Sequence, residues 1–198
     1  MEKDEYMLKI KEKKTIKYVD SNDELALRDF SNAFYDVFMD IYNNDKQVVI
    51  LCIGTDRVTG DSLGPMIGYK LDRYKFGLFD GVDIYGTLEN PVHAKNLKHT
   101  IDIIYAKHHD PLIISIDASL GGANSVGHLT IGPGALRPGA GVNKKLPEVG
   151  DMFITGIVNL NMGFESIKNT RLGLVMQMAD IIFYGMINGF SRVWRLGA

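Results

Sequence analysis

Apolar residues recur along this chain in two rhythms, and their order predicts the architecture. Between Glu24 and Ile41, the residues Leu27, Phe30, Phe34, Val37, Phe38 and Ile41 form one stripe, with Arg28, Asp29 and Asp36 mostly off it. That is the spacing of an amphipathic helix. Ser21, Asn22 and Asp23 offer caps before it, and Asn43-Asn44-Asp45 closes it. Val48 to Ile53 is an unbroken apolar run rich in β-branched residues, as expected of a strand covered on both faces. A loop follows, then a helix from Ser62 to Leu71 and a short strand from Val82 to Tyr85. Asn90-Pro91 predicts the next helix start, because asparagine caps and proline at the first helical position needs no donor. Leu97, Ile101, Ile104 and Tyr105 share one side of that helix, which ends near His109. A third strand, Leu112 to Ile116, stops at Asp117.

Beyond Gly121-Gly122, Gly127 to Ile131 alternates like a strand with one solvated face. A glycine- and proline-rich loop, GPGALRPGAGVNKKLPEVG, precedes the last strand, Met152 to Val158. From Thr170 onward Leu172, Val175, Met176, Ala179, Ile182, Phe183, Met186 and Phe190 keep a helical rhythm nearly to the end. The βαβαβ order predicts an α/β fold: a three-layer αβα domain with a mostly parallel central sheet. Residues 1–19 read as a charged lead with an edge strand around Tyr6 to Ile10, and residues 20–198 as one domain. No repeat or linker divides them.

A length of 198 residues suits one domain, and 45% apolar with 23% charged residues is an ordinary globular composition. The formal charge of −2 concentrates no basic surface, so nucleic acid is not an expected partner. The early lysines Lys9, Lys11, Lys13, Lys14 and Lys17 are interspersed with Glu12 and Asp20. Cys52 is the single cysteine and lies in the apolar run, as an inert core thiol would. The start lacks a secretory signal, and no segment approaches the ~20 apolar residues of a membrane span. A soluble, cytoplasmic protein is expected.

In open α/β sheets, ligands bind beyond the carboxyl ends of the strands. Three segments reach that edge: the loop Gly54 to Asp61, which includes Asp56 and Arg57; the stretch Glu89 to His93; and Asp117. Asp61 alone reads equally as a cap for the Ser62 helix, and Asp117 as a carboxylate fixing the next turn. Neither alternative explains why both reach the same edge. Gly54, Gly60 and Gly64 permit tight turns but do not form a GxGxxG dinucleotide fingerprint. His93, expected at the amino end of the helix opened by Pro91, fits a buried core histidine or a ligand and proton-transfer role. His108 and His109 are expected on the surface. There is no HExxH or paired-cysteine zinc pattern. Two facing carboxylates can share a proton, one activating water while the other protonates the leaving group. With a histidine they can instead hold a divalent transition metal, with Asp61, Asp117 and His93 as its ligands.

The segments GTDRVTGDSLGP, YGTLENPVHAKNL, IDASLG and GPGALRPGAGVNKKLPEVGD, in this order, resemble the YyaC-type sporulation family, described as spore proteases. More distantly the chain is similar to the germination protease of spore formers and to the endopeptidases that mature nickel–iron hydrogenases. Those likenesses imply a phosphorylase/hydrolase-like α/β fold. Asp61 in VTGDSLGP matches the germination protease's first catalytic aspartate, and Asp117 in IDASL its second. The loop Pro138-Gly139-Ala140-Gly141-Val142-Asn143 resembles a third motif of that enzyme. In the hydrogenase-maturing group the two acidic positions bind nickel with a later histidine. Here His93 precedes Asp117 and His128 is a weak substitute, which favours a metal-free pair with no cofactor, or a metal site with different ligands.

The expected function is therefore a sporulation-associated peptidase using Asp61 and Asp117. Asp56, Arg57, Glu89, His93, Pro138, Gly139, Gly141 and Asn143 would line its pocket. Its expected substrate is a peptide or small protein, such as the small acid-soluble spore proteins. The rival readings are a non-catalytic sporulation protein that binds a peptide in the same cleft, and a metal-dependent amide hydrolase. The resemblance places the protein in the cytoplasm of a mother cell or forespore. The helices at 24–41 and 171–190 each have a face to spare for a homodimer.

Overall fold

The structure is a computed structural model describing residues 15–43, 46–74, 81–139 and 146–195. Its centre is a six-stranded sheet built from β1 (Lys17–Asp20), β2 (Val48–Cys52), β3 (Val82–Tyr85), β4 (Leu112–Gly121), β5 (His128–Pro133) and β6 (Met152–Leu160). The strand order is β1-β5-β6-β4-β2-β3. The β3-β2-β4-β6 block is parallel; β5 runs against it, and β1 pairs antiparallel with β5. The helices are α1 (Ala26–Met39), α2 (Leu63–Tyr74), α3 (Leu97–Lys107), α4 (Phe164–Lys168) and α5 (Leu172–Arg195).

Alternation along the strands divides the core in two. Ile50, Ile114, Ile116 and Ile154 face one apolar cluster together with α1, α2 and α5. Val49, Leu51 and Ile113 face a second cluster with Leu97 and Ile104 of α3 and with Leu136 and Val149 from the loop between β5 and β6. This is the three-layer αβα arrangement expected from the alternation of strands and helices. Both faces of β2 are covered, so it carries an unbroken apolar run.

Several boundaries differ from expectation. The expected edge strand at Tyr6 to Ile10 lies outside the described residues. Residues 17–19, grouped above with the charged lead, form the outer strand β1. Asp23 Oδ1 accepts the Leu25 N–H at 2.8 Å just before α1, whose residue Leu27 is largely exposed. The helix expected at Asn90-Pro91 begins instead at Leu97. Val92 is buried and forms a parallel bridge with Ile53, which holds this stretch extended. β4 does not stop at Asp117 but runs on to Gly121, because β6 continues beside it as far as Leu160. The short α4 was not anticipated.

Along α5 most of the expected stripe is buried: Val175, Ala179, Ile182, Phe183, Met186 and Phe190. Leu172 and Met176 are exposed, and Met178 and Ile187 join the buried face. Gly185 and Gly189 lie where α5 meets α1. A Cβ at these positions would lie 2.3 Å from the Phe30 ring and 2.4 Å from the Phe34 ring. The absent side chains let α1 and α5 meet at close range. Over Leu172–Trp194 this helix is, contrary to expectation, long and apolar enough by composition to cross a membrane, yet half of that stretch is buried in the fold. Its hydropathy comes from packing both on the sheet and on α1.

Candidate active site

β3 and β4 flank β2, so the chain reverses direction in the strand order between β2 and β4. Such switch points leave a crevice at the carboxyl edge of a parallel sheet. Both aspartates reach it. After β2, Gly54 adopts a φ of +140°, and a Cβ there would sit 2.0 Å from the Asp61 carbonyl oxygen. Glycine therefore lets the loop fold back onto the strand end, and the Thr55 N–H donates to the same carbonyl at 3.0 Å. Asp61 is the middle residue of a 3-10 turn, Gly60–Ser62, that runs directly into α2. A Cβ on Gly64 would meet the Ile53 carbonyl at 2.1 Å, so the first turn of α2 presses against β2.

Asp117 lies on the α3 side of β4, in line with Ser115 and Ile113, and is only 7% exposed. Its Oδ1 accepts the Ala118 N–H at 2.8 Å. That bond stays within the strand, so the carboxylate is not fixing a turn. Burial pushes the Asp117 carboxyl well above the usual carboxylate range. The charge of Asp61 raises it further, and the Ala118 N–H opposes both. The two carboxyls are thus electrostatically coupled, and Asp117 holds its proton to higher pH than an ordinary aspartate.

Both aspartates border two cavities. The larger, of about 310 Å³, is lined also by Ala118, Ser119, Leu120, Ala135, Leu136, Arg137, Gly139, Phe153, Thr155 and Ile167. The smaller, of about 60 Å³, adds Ile53, Gly54, His93, Ala94, Pro138 and Leu146. One wall is an arm formed by the two ends of the β5–β6 loop, joined where Leu136 and Val149 exchange backbone hydrogen bonds of 2.9 and 3.1 Å. Ser115 Oγ donates to the Val149 carbonyl at 3.0 Å, tying the arm to β4 two residues before Asp117. The floor carries a row of hydroxyls. Thr155 stands opposite Asp117 in register, its Oγ1 lies 2.6 Å from Thr130 Oγ1, and Ser119 Oγ reaches it at 3.3 Å.

His93 lies in the turn ahead of α3 rather than inside a helix. Its N–H donates to Asn96 Oδ1 at 2.8 Å, and its carbonyl accepts the Asn96 and Leu97 N–H groups. Its Nδ1 is buried without a hydrogen-bond partner among the described residues. The imidazole borders both the smaller cavity and a polar groove of about 730 Å³ that contains Glu89 and Asp72. Glu89 lies in that groove, 3.9 Å from Arg73, and does not line the aspartate cavities. Asp56 and Arg57 are on an exposed turn outside both linings. Pro138 and Gly139 line the site, whereas Gly141 and Asn143, like Lys144 and Lys145, are outside the described residues. His108 is not a free surface residue: its side chain is 9% exposed, with Nε2 2.8 Å from Asp83 Oδ2. Among the described residues no three His, Cys, Asp or Glu side chains gather as a metal-ligand set. Asp61, Asp117 and His93 share a cavity without forming one.

Sequence reasoning missed Ser119, Thr155, Phe153 and Ile167. Thr155 and Phe153 alternate on one side of β6, but their meeting with Asp117 depends on the β4–β6 register, which no local pattern encodes.

Residues 18–185 match the model of the family described as a protein of unknown function, DUF1256. The chain belongs to that family. It is also 49% identical over 152 residues to the uncharacterized protein YyaC of Bacillus subtilis (strain 168), a match covering 76% of this chain and 73% of that relative. The likeness read from GTDRVTGDSLGP and IDASLG is therefore one of homology to YyaC. The DUF1256 match runs from β1 into α5, so it takes in the whole sheet and both aspartates.

Proposed function

We propose that this protein is a sporulation-associated peptidase-like hydrolase in which Asp61 and Asp117 act as an acid–base pair. The observation that carries this reading is the buried Asp117 carboxyl, raised by burial and by the charge of Asp61, in a cavity that both residues line. A carboxyl that holds its proton to higher pH beside a second carboxyl that ionises first is the condition for two-carboxyl hydrolysis. In that scheme Asp61, as carboxylate, takes a proton from water as the water attacks the amide carbon. Asp117, as acid, protonates the departing nitrogen. Further support is the likeness of both positions to the catalytic aspartates of the germination protease. By the same likeness the substrate is a peptide or small protein, such as a small acid-soluble spore protein, met in the cytoplasm of a mother cell or forespore.

The test is incubation of the full chain with small acid-soluble spore proteins, with mass spectrometry of the products. Cleavage is expected, and Asp61→Asn and Asp117→Asn should each lower the rate about a hundredfold or more. Full turnover in either variant removes the acid–base assignment. Stable binding without products favours the reading in which the cleft only holds a partner. The coupling has its own check: in Asp61→Asn the Asp117 carboxyl, followed by carbon NMR, should titrate at lower pH. It should stay above an ordinary aspartate, because burial is the larger cause.

A further inference from the structure

We propose that the cavity of about 310 Å³ is a side-chain pocket that selects an apolar residue, of leucine or phenylalanine type, next to the amide offered to Asp61 and Asp117. The catalytic part of this inference rests on the hydrolase reading; the binding part does not. The volume is at the small end of ligand pockets, about 300–1,000 Å³, enough for one side chain and its flanking amide rather than an extended ligand.

The lining is two-sided. Along the sheet it presents Asp117, Ser119 and Thr155, with the apolar Phe153 on the same side of β6, and Leu136 of the arm and Ile167 of α4 complete the lining. Leu136 and Ile167 are 8% and 7% exposed, so these walls are held by the two cores and do not retreat into solvent. An occupant that satisfies both sides carries hydrogen-bonding groups along one edge and apolar surface on the other. A peptide amide with its own apolar side chain has that form. The Ser119 and Thr155 hydroxyls are placed for its backbone polar groups.

Charged side chains fit less well. An ammonium beside Leu136, Phe153 and Ile167 gives up hydration there and regains a partner only by taking the aspartates that the amide needs. An acidic side chain meets the aspartates instead. The guanidinium at the mouth, Arg137, is engaged by Glu148 at 2.8 Å.

The experiment is a titration of the isotope-labelled full chain with the N-acetyl amides of leucine, phenylalanine, lysine and aspartate, followed by NMR. Leucine and phenylalanine amides should shift the signals of Leu136, Phe153 and Ile167. They should bind about tenfold or more tightly than the lysine and aspartate amides. Ala135→Trp, which adds bulk at an exposed lining position, should abolish that binding while leaving distant signals unchanged. Equal binding of all four amides, or shifts confined to other surfaces, overturns the pocket. Peptide cleavage with no preference for apolar residues beside the broken bond also overturns it, but leaves the hydrolase intact. Apolar-selective binding without any cleavage upholds the pocket and removes the hydrolase.

Discussion

Leu112 to Ile116 and Asp117 to Gly121 are the two halves of β4, a strand that pairs in parallel with β6 from Ile114 onward, and they are subject to different demands. The first half is buried on both faces and, apart from Ser115, carries only aliphatic side chains. The second half emerges where the helical layers end. It carries Asp117 and Ser119, shifts register between Ser119 and Leu120, and lines the larger cavity. The backbone is continuous, so the contrast lies in what the side chains meet. In the first half, burial removes apolar surface from water and stabilises the fold. In the second, burial opposes the charged form of a carboxyl and is retained despite that cost. Sites that sacrifice stability in this way are where function is to be sought.

Three experiments sharpen the contrast, from the largest effect to the smallest. Ile114→Ala in the first half should destabilise the protein by about 2–5 kcal/mol in urea unfolding, since Ile114 is fully buried between β2 and β6. The titration of Asp117 should be unchanged if the two halves are independent.

Asp117→Asn in the second half should act in the opposite direction, stabilising by about 0.5–2 kcal/mol at neutral pH. The sign follows from linkage. A carboxyl whose folded pKa is raised contributes its stability fully below the ordinary carboxylate range. It loses that contribution as pH rises through the folded pKa. The advantage of the asparagine variant should therefore shrink on acidification and vanish once the wild-type carboxyl is protonated in both the folded and unfolded states. A variant equally or less stable than wild type at pH 8 would mean that the buried carboxylate is compensated in the native state.

Lys98→Ala, remote from both halves, supplies the baseline. The Lys98–Asp102 pair at 2.9 Å on α3 is exposed, and its loss should change stability by no more than about 0.5 kcal/mol, fading with added salt.

The same contrast explains what was legible in the sequence. The unbroken run at Val48 and the run at Leu112, interrupted only by Ser115, announce strands because burial on both faces leaves little room for polar alternation. Asp61 and Asp117 were legible because Asp61 stands just ahead of the α2 pattern, in the loop after β2, and Asp117 breaks the apolar run of β4. Asn90-Pro91 misled, since its capping chemistry was overruled by the pairing of Val92 with Ile53. Leu172 and Met176 continue the apolar rhythm of α5 but are exposed, whereas Gly185 and Gly189, which carry no hydropathy signal, sit where α5 meets Phe30 and Phe34.

Strand and helix order, the α/β class and the two acidic positions were determined by the chain alone, since periodicity and local charge are properties of neighbouring residues. Which residues share a cavity was decided only in three dimensions. Thr155 stands beside Asp117 through strand register, the arm reaches Ser115 across 33 intervening sequence positions, and burial raises the Asp117 carboxyl. Those relations join residues far apart in sequence, and only the closed fold brings them within range of each other's fields.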